Sequence, residues 1–305
     1  MQWNKRGLIY VPTGASWWAH SYALLPTVEV IEDQFIRIYF SSLDKDKFGR
    51  VGYIDVDVNN PSKIIQVIDE PILDLGPIGC FDDSGVNASS VVPVNGQKYM
   101  YYIGWQRAER VPYMLFSGLA ISDDGSATFK KYSCVPVLDR TKDEPFSRSA
   151  PFVLLENGIF KVWYWSCVNW SSEEECIHYN NVIKYTESED GIQWHNTSHI
   201  CIAPQTNEDY SVGRPWVIKD VGTYKMWYSI RSKTQPYRIS YAESINGLDW
   251  IIKEDQVGIT RSATGWDSEM VCYPCVVDVK GRRFMFYNGN RHGQSGLGFA
   301  ELESE

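Results

Sequence analysis

PCVVDVKGRRFMFY, residues 274–287, reads as a β-hairpin: an apolar run, a turn marked by Gly281, and a second run closing on Tyr287. The same pattern stands at 215–228 (PWVIKDVGTYKMWY), 151–164 (PFVLLENGIFKVWY), 89–102 (SSVVPVNGQKYMYY) and 26–39 (PTVEVIEDQFIRIY). In every copy the closing tyrosine lies 13 residues after the opening residue, and the turn residue (Asp33, Gly96, Gly158, Gly222 or Gly281) lies six before it. The closing tyrosines follow one another at steps of 63, 62, 64 and 59 residues. Self-similarity at a fixed period marks a repeat architecture.

Each copy continues into a third run, often ending in a polar turn: GLAISDDG at 118–125, IKYTESEDG at 183–191 and ISYAESING at 239–247. The first and last copies have VGYIDVD at 51–57 and GFAEL at 298–302 in this place. Fourth runs are expected at Pro71, Pro136, Ile200 and Val257. Four short antiparallel strands per copy are the content of a propeller blade. The expected fold is therefore all-β, a five-bladed β-propeller with four-stranded antiparallel blades, forming a single domain over residues 1–305. The fifth copy lacks a fourth run, and LIYVP at 8–12 resembles the missing strand. Pairing it there closes the last blade with the N-terminal strand and removes two exposed edges. No helix or linker is expected, and the polar insertion SSEEECI at 171–177 reads as a solvated loop.

The net charge of −9 disfavours nucleic acid as a partner, because phosphate backbones select basic faces. No run approaches the ~20 apolar residues of a membrane span, and none after Met1 resembles a signal peptide. Seven cysteines without framework spacing suggest reduced thiols and a cytoplasmic location. Cys272 and Cys275 form a C-x-x-C on an expected strand, where positions three apart face opposite sides, which argues against a metal or redox pair. Metal and cofactor signatures are absent, so none is expected.

In a propeller the innermost strand of each blade lines the central channel, and the segments leading into those strands converge at its mouth. These segments are 17–22 (WWAHSY), 81–87 (FDDSGVN), 144–148 (EPFSR), 208–214 (EDYSVGR) and 266–273 (WDSEMVCY). They hold carboxylates, two arginines, a histidine and aromatics, where other repeat positions are apolar. Convergent polar groups on a rigid scaffold make a candidate site.

With its S-x-D-G-like turns, Trp-Tyr strands and acids before the inner strands, the chain resembles the five-bladed glycosidase propellers: glycoside hydrolase families 32, 43 and 62 and the family 130 mannoside phosphorylases. GCFDDSG at 79–85 and GWDSEM at 265–270 resemble signatures of glycosidase-like proteins found among bacterial polysaccharide genes. The resemblance implies a carbohydrate or sugar-phosphate ligand and carboxyl groups flanking a glycosidic bond. The hydrolase families carry an essential Asp on the first blade, where this chain has Ala19, His20 and Ser21, and the Asn-Asp-Pro-Asn element of family 32 is missing.

The candidate catalytic carboxylates are Asp83 and Glu269, with Asp82 and Asp267 beside them. Arg148, Arg214 and His20 are candidates for an anion cradle like the phosphate site of family 130. Trp18 and Trp105, with Trp17, Trp170 and Trp266, are candidates to stack on sugars. Asn288 and Asn290 are candidate hydroxyl partners, and His292 is a weaker one. The leading function is a carbohydrate-active enzyme that cleaves or transfers a glycosyl group, to water, phosphate or another sugar. The alternative is a non-catalytic glycan-binding propeller, and a scaffold without glycan affinity is the third reading.

Overall fold

The computed structural model describes residues 1–124, 126–173 and 176–304, and over these the chain is all-β. β1 (Gln2–Tyr10) is followed by four antiparallel meanders of four strands each. The first holds β2 (Ser21–Ile31), β3 (Phe35–Leu43), β4 (Gly49–Asp57) and β5 (Ile64–Val67). The second holds β6 (Gly85–Val94), β7 (Gln97–Arg107), β8 (Tyr113–Ser122) and β9 (Lys130–Lys131). The third holds β10 (Arg148–Glu156), β11 (Ile159–Glu173), β12 (Cys176–Ser188) and β13 (His199–Ile202). The fourth holds β14 (Asp209–Asp220), β15 (Thr223–Ser232), β16 (Arg238–Ser244) and β17 (Ile251–Ile252). In the last sheet β18 (Cys272–Val279), β19 (Arg282–Asn288) and β20 (Leu297–Ser304) are completed by β1, which pairs antiparallel with β20 from Gln2↔Ser304 to Tyr10↔Leu297. This pairing strand is longer than the 8–12 stretch suggests. The helical elements among the described residues are a single 3-10 turn, Glu254–Gln256, and the short α1 (Asn290–Gly293).

The five opening strands pack in a cycle: β2 against β6, β6 against β10, β10 against β14, β14 against β18, and β18 against β2. Side chains stitch neighbours together. Thr27 Oγ1 donates to the Ala88 carbonyl (3.1 Å), Ser90 Oγ to that of Pro151 (3.2 Å) and Trp216 Nε1 to that of Val276 (2.6 Å). The five closing tyrosines are all buried, Tyr39, Tyr102, Tyr164 and Tyr287 at 0 % exposure and Tyr228 at 1 %. Burial of a large ring contributes roughly 1.5–3 kcal/mol, so the repeated residue is a core residue of each sheet.

The outer strands differ from the expectation in three of four copies. Pairing in the fourth position is made by β5, β9 and β17, each ahead of the expected Pro71, Pro136 and Val257. Leu73 and Leu138 make isolated bridges to Val51 and Ser117, and Val257 follows the 3-10 turn. In the first two of these copies a proline opens the expected run, and a residue without an N–H cannot continue a ladder. The 171–177 insertion is also corrected: β11 reaches Glu173 and β12 starts at Cys176, so its flanks are paired strands. Glu174, Glu175 and the Gly125 of the second polar turn lie outside the described residues.

The hairpin turns follow the sequence. In four of them two residues separate the paired positions, as in Val94↔Gln97 and Asp220↔Thr223, and both have positive φ. That is the type I′ geometry whose twist matches the strands. Asn95-Gly96 and Asn157-Gly158 suit it, whereas Val221-Gly222 places a fully exposed β-branched side chain at φ 43°. Left-handed backbone costs an L-residue with a branched Cβ about 1–2 kcal/mol. Val221→Asn is therefore expected to stabilise the protein by about 1 kcal/mol, read as a rise in the urea midpoint at unchanged slope. An equal or lower midpoint would refute the strain argument.

Candidate functional site

A cavity of about 130 Å³ is lined by residues of all five opening strands. Its construction follows from one repeated device. The ladder between first and second strands slips at Leu24/Thr27, Ser149/Phe152, Gly213/Trp216 and Cys272/Cys275. At each slip the residue preceding the opening proline is left-handed: Leu25 (φ 56°), Ala150 (48°), Arg214 (53°) and Tyr273 (57°). Such bulges re-aim a side chain, and all four of these residues line the cavity. The second copy opens on Ser89 rather than proline, slips at Ala88/Ser90 and contributes Asn87.

Aromatic walls complete it: Tyr113, Trp165, Tyr179 and Tyr237. Trp165 fits because Gly213 faces it, where a Cβ would meet the ring at 2.4 Å. The cavity shares Leu25, Asn87, Tyr113, Leu115 and Tyr273 with a wider groove of about 550 Å³, whose rim carries Tyr22, Lys47, Trp105 and Arg107. Among the described residues, neither Asp nor Glu lines either of them.

Two arginines reach the cavity. Arg214 is 3 % exposed and donates to the carbonyls of Ser89 (2.9 Å) and Pro26 (3.1 Å) and to Thr27 Oγ1 (2.9 Å), while its Nε is buried without a partner. Its burial, unrelieved by an acid, pulls the guanidinium down to about 10. Arg231, on β15, lies between the rings of Tyr179 (5.0 Å) and Tyr237 (4.9 Å), and its Nε is likewise buried and unpartnered. His292 stands edge-on to Tyr237 (5.4 Å). Burial and the neighbouring Arg231 cation lower its imidazole to about 4, so it is neutral at pH 7.

The candidate carboxylates are not brought together in this cavity. Asp82 is 1 % exposed, accepts from Tyr102 Oη (2.8 Å) and pairs with Lys131 Nζ (2.6 Å). Asp267 does the same with Tyr287 Oη (2.9 Å) and Lys5 Nζ (2.6 Å). Glu144 repeats the arrangement with Tyr164 Oη (2.9 Å), Lys184 (3.2 Å) and Arg148 (3.3 Å), and these cations hold its carboxyl below the usual range despite its burial. Each is an acid 20 residues before a closing tyrosine, pinning that tyrosine and a cation under its own sheet. Asp83 caps its loop, accepting from the Gly79 N–H and Ser84 Oγ (both 2.9 Å). Glu269 is exposed.

The remaining candidates divide in the same way. Arg148 is tied to Glu144, to Tyr164 Oη (3.1 Å) and to the Asp139 carbonyl (2.8 Å), so it belongs to a pin and not to an anion cradle. His20 packs near Gly14, outside the cavity lining. Trp18 is 1 % exposed, stacks on Phe40 and donates to the Asp69 carbonyl (2.8 Å), so its ring is core. Trp17 covers Arg50, Trp170 packs on Tyr113 and Tyr179, and Trp266 packs on Tyr287. Trp105 does line the groove, seated over Gly85, where a Cβ would lie 2.1 Å from its ring.

Asn288 is buried and holds the Leu25 N–H (2.8 Å) and the Ala23 carbonyl (2.6 Å), which fixes the bulge that presents Leu25. Asn290 holds the Glu269 N–H (2.7 Å). Cys272 and Cys275 are buried, and burial pushes both thiols up. Among the described residues no group of three His, Cys, Asp or Glu side chains is placed to hold a metal ion, and no helix is long and apolar enough to cross a membrane. Sequence reasoning missed Leu25, Ala150, Tyr113, Trp165, Tyr179, Arg231 and Tyr237. For the first two the signal was available: both precede an opening proline.

If Asp82 is a structural pin, Asp82→Asn strands Lys131 and is expected to cost about 3 kcal/mol, with Lys131→Met in the same chain restoring most of it. Urea unfolding of the single and double variants checks this, and additive losses would refute it. For His292 the folded value lies below the ordinary 6.5. The unfolded chain then takes up a proton first, so stability is held above about pH 6.5 and drains as pH falls towards 4. His292→Asn should flatten the melting temperature against pH in that window. An unchanged slope would contradict the burial of the ring.

No protein-family model matches the chain. It is similar over its full length to two Mycobacterium tuberculosis proteins, uncharacterized protein Rv1502 of strain ATCC 25618 / H37Rv and uncharacterized protein MT1551 of strain CDC 1551 / Oshkosh. Each is 38 % identical over 304 residues, 100 % of both proteins. Among solved structures, a glycosyl hydrolase from Bacteroides ovatus superposes with a TM-score of 0.74 at 13 % identity, covering 98 % of this chain and 92 % of that one. A thermostable family-43 glycoside hydrolase gives 0.71 at 20 % identity, over 93 % and 91 %. A structure from the GH130 family of mannoside phosphorylases gives 0.70 at 14 %, over 98 % and 93 %. At such identities what is shared is the fold, a glycoside-hydrolase-like β-propeller. At 38 % identity over its full length, the chain belongs to the family of Rv1502 and MT1551.

Proposed function

We propose that residues 1–305 form a single five-bladed propeller whose last blade is completed by β1, and that its central cavity binds a carbohydrate. The observation that carries this reading is the lining itself. Rings of Tyr113, Trp165, Tyr179 and Tyr273 offer apolar faces, and Asn87 and the arginines offer hydrogen bonds. That combination suits a sugar, which is apolar on its ring faces and polar at its edge. Glycoside cleavage by the common route needs two carboxyls about 5–9.5 Å apart across the bond, and the cavity lining offers none. Recognition of a sugar by this lining is the first reading. Cytoplasmic residence is part of the reading, resting on seven cysteines without framework spacing.

A second reading, glycosyl cleavage or transfer at the channel mouth, is favoured by one observation: Asn290 fixes the Glu269 backbone while its carboxylate stays exposed. Asp83 would be the second acid. A thermal-shift screen of neutral and acidic mono- and oligosaccharides separates the two. A ligand that binds only the folded state raises the midpoint by mass action. Recognition predicts a rise that Trp105→Ala diminishes, with no release of reducing sugar. Turnover that Glu269→Gln abolishes would replace recognition with the second reading.

A further inference from the structure

The cavity holds an electrostatic imbalance that the carbohydrate reading does not itself require. The protein carries a net charge of −9, yet Arg214 and Arg231 line the cavity and Lys47 and Arg107 line the adjoining groove, with no carboxylate among the described residues that line them. Arg214 uses its outer nitrogens on neutral acceptors of the first two meanders. Arg231 has no carboxylate within ion-pairing distance among the described residues, and two tyrosine rings hold its guanidinium plane in place. A cation taken out of water without a counter-ion is unfavourable unless something anionic completes it. Arginine's planar fork matches a carboxylate or phosphate, and its orientation is already fixed here.

Size narrows the ligand further. The inner cavity, about 130 Å³, is close to the ~150 Å³ void that accommodates one benzene ring. It has room for one sugar unit or less, and the wider groove past Tyr113 and Trp105 has room for the units linked to it.

Resting on the carbohydrate reading, we propose that the cavity selects an acidic saccharide, its terminal carboxylate or phosphate bound by Arg231 between Tyr179 and Tyr237, with the next unit lying against Trp105 in the groove. No covalent step is involved. The interaction is a charge-assisted hydrogen-bonded pair in a site closed by rings.

Calorimetric titration tests this with glucuronate and galacturonate, their methyl esters, glucose 6-phosphate, glucose and inorganic phosphate. The acid sugars are expected to bind about tenfold to a hundredfold more tightly than the esters and glucose, the range for a charged hydrogen bond in a shielded site. Comparison of the uronates with glucose 6-phosphate distinguishes the two anion sources. Arg231→Gln should remove most of the preference, and Arg231→Lys should keep part of it as a point charge without a fork. Acid and ester binding alike in the wild type would overturn the inference and leave the carbohydrate reading standing. Inorganic phosphate binding as tightly as the sugar acids would overturn it too, because the rings would then play no part. Should none of the sugars bind, the carbohydrate reading falls with it. The wild-type ratio of acid to ester decides the matter even if the Arg231 variants fail to fold.

Discussion

The guanidinium of Arg214 is the contact on which the centre of this molecule depends. It starts from a left-handed residue on β14 and ends on backbone oxygens of β2 and β6, three and two meanders away in the chain. Strands from the first, second and fourth repeats are thereby fixed to one group. The arrangement is costly, because the charge is almost wholly buried and its acceptors are neutral. Its persistence requires the surrounding bulges to hold their positions, and Asn288 does this for Leu25 through two strong hydrogen bonds. The cavity is the space left around that junction.

Away from the centre the same economy of pattern recurs. An acid 20 residues before the closing tyrosine is present as Asp82, Glu144 and Asp267, and each joins a leading loop, a second strand and a cation from farther out in its sheet. The first copy has Ala19 at this spacing and instead binds Tyr39 Oη to Glu29 (2.8 Å), an acid on β2 itself. The fourth has Glu208 at this spacing, but that side chain is exposed, and the buried acid is the next residue, Asp209, paired with Arg238 (3.1 Å). Acids that stand before inner strands thus serve the blades first, and their sequence position alone does not make them catalytic.

How far the sequence could be read follows from this. The hairpins, the closing tyrosines and the N-terminal strand in the last sheet were legible, because period-two patterning and turn chemistry act locally. Two of the three misplaced outer strands were misread because proline-initiated runs look strand-like but lack the donor a ladder needs. Asn87, Arg214 and Tyr273 come from three of the five leading segments and line the cavity, whereas segments 17–22 and 144–148 supply none of its lining among the described residues. Arg148 was misjudged because its partner Glu144 is four residues away and the pairing geometry is invisible in one dimension. Arg231 and Tyr179 come from the end of a second strand and the start of a third, and Tyr237 lies just before the third strand of its copy. Nothing in the repeat marks them, as their role depends on which strand end faces the axis.

The pairing of β1 with β20 has a mechanical side. Gln2 lies opposite Ser304, so the two ends of the described chain sit next to each other at the same end of an antiparallel ladder. Tension applied through both ends would load the hydrogen bonds one at a time, as a zip opens, instead of shearing all of them together. The outer ladder is then the weakest direction of the molecule, although the same bonds cover a strand edge at rest. A partner fused to either end would pull along this path, and the first segment released would be the face carrying Trp3, whose ring packs edge-on against Trp227 in the core.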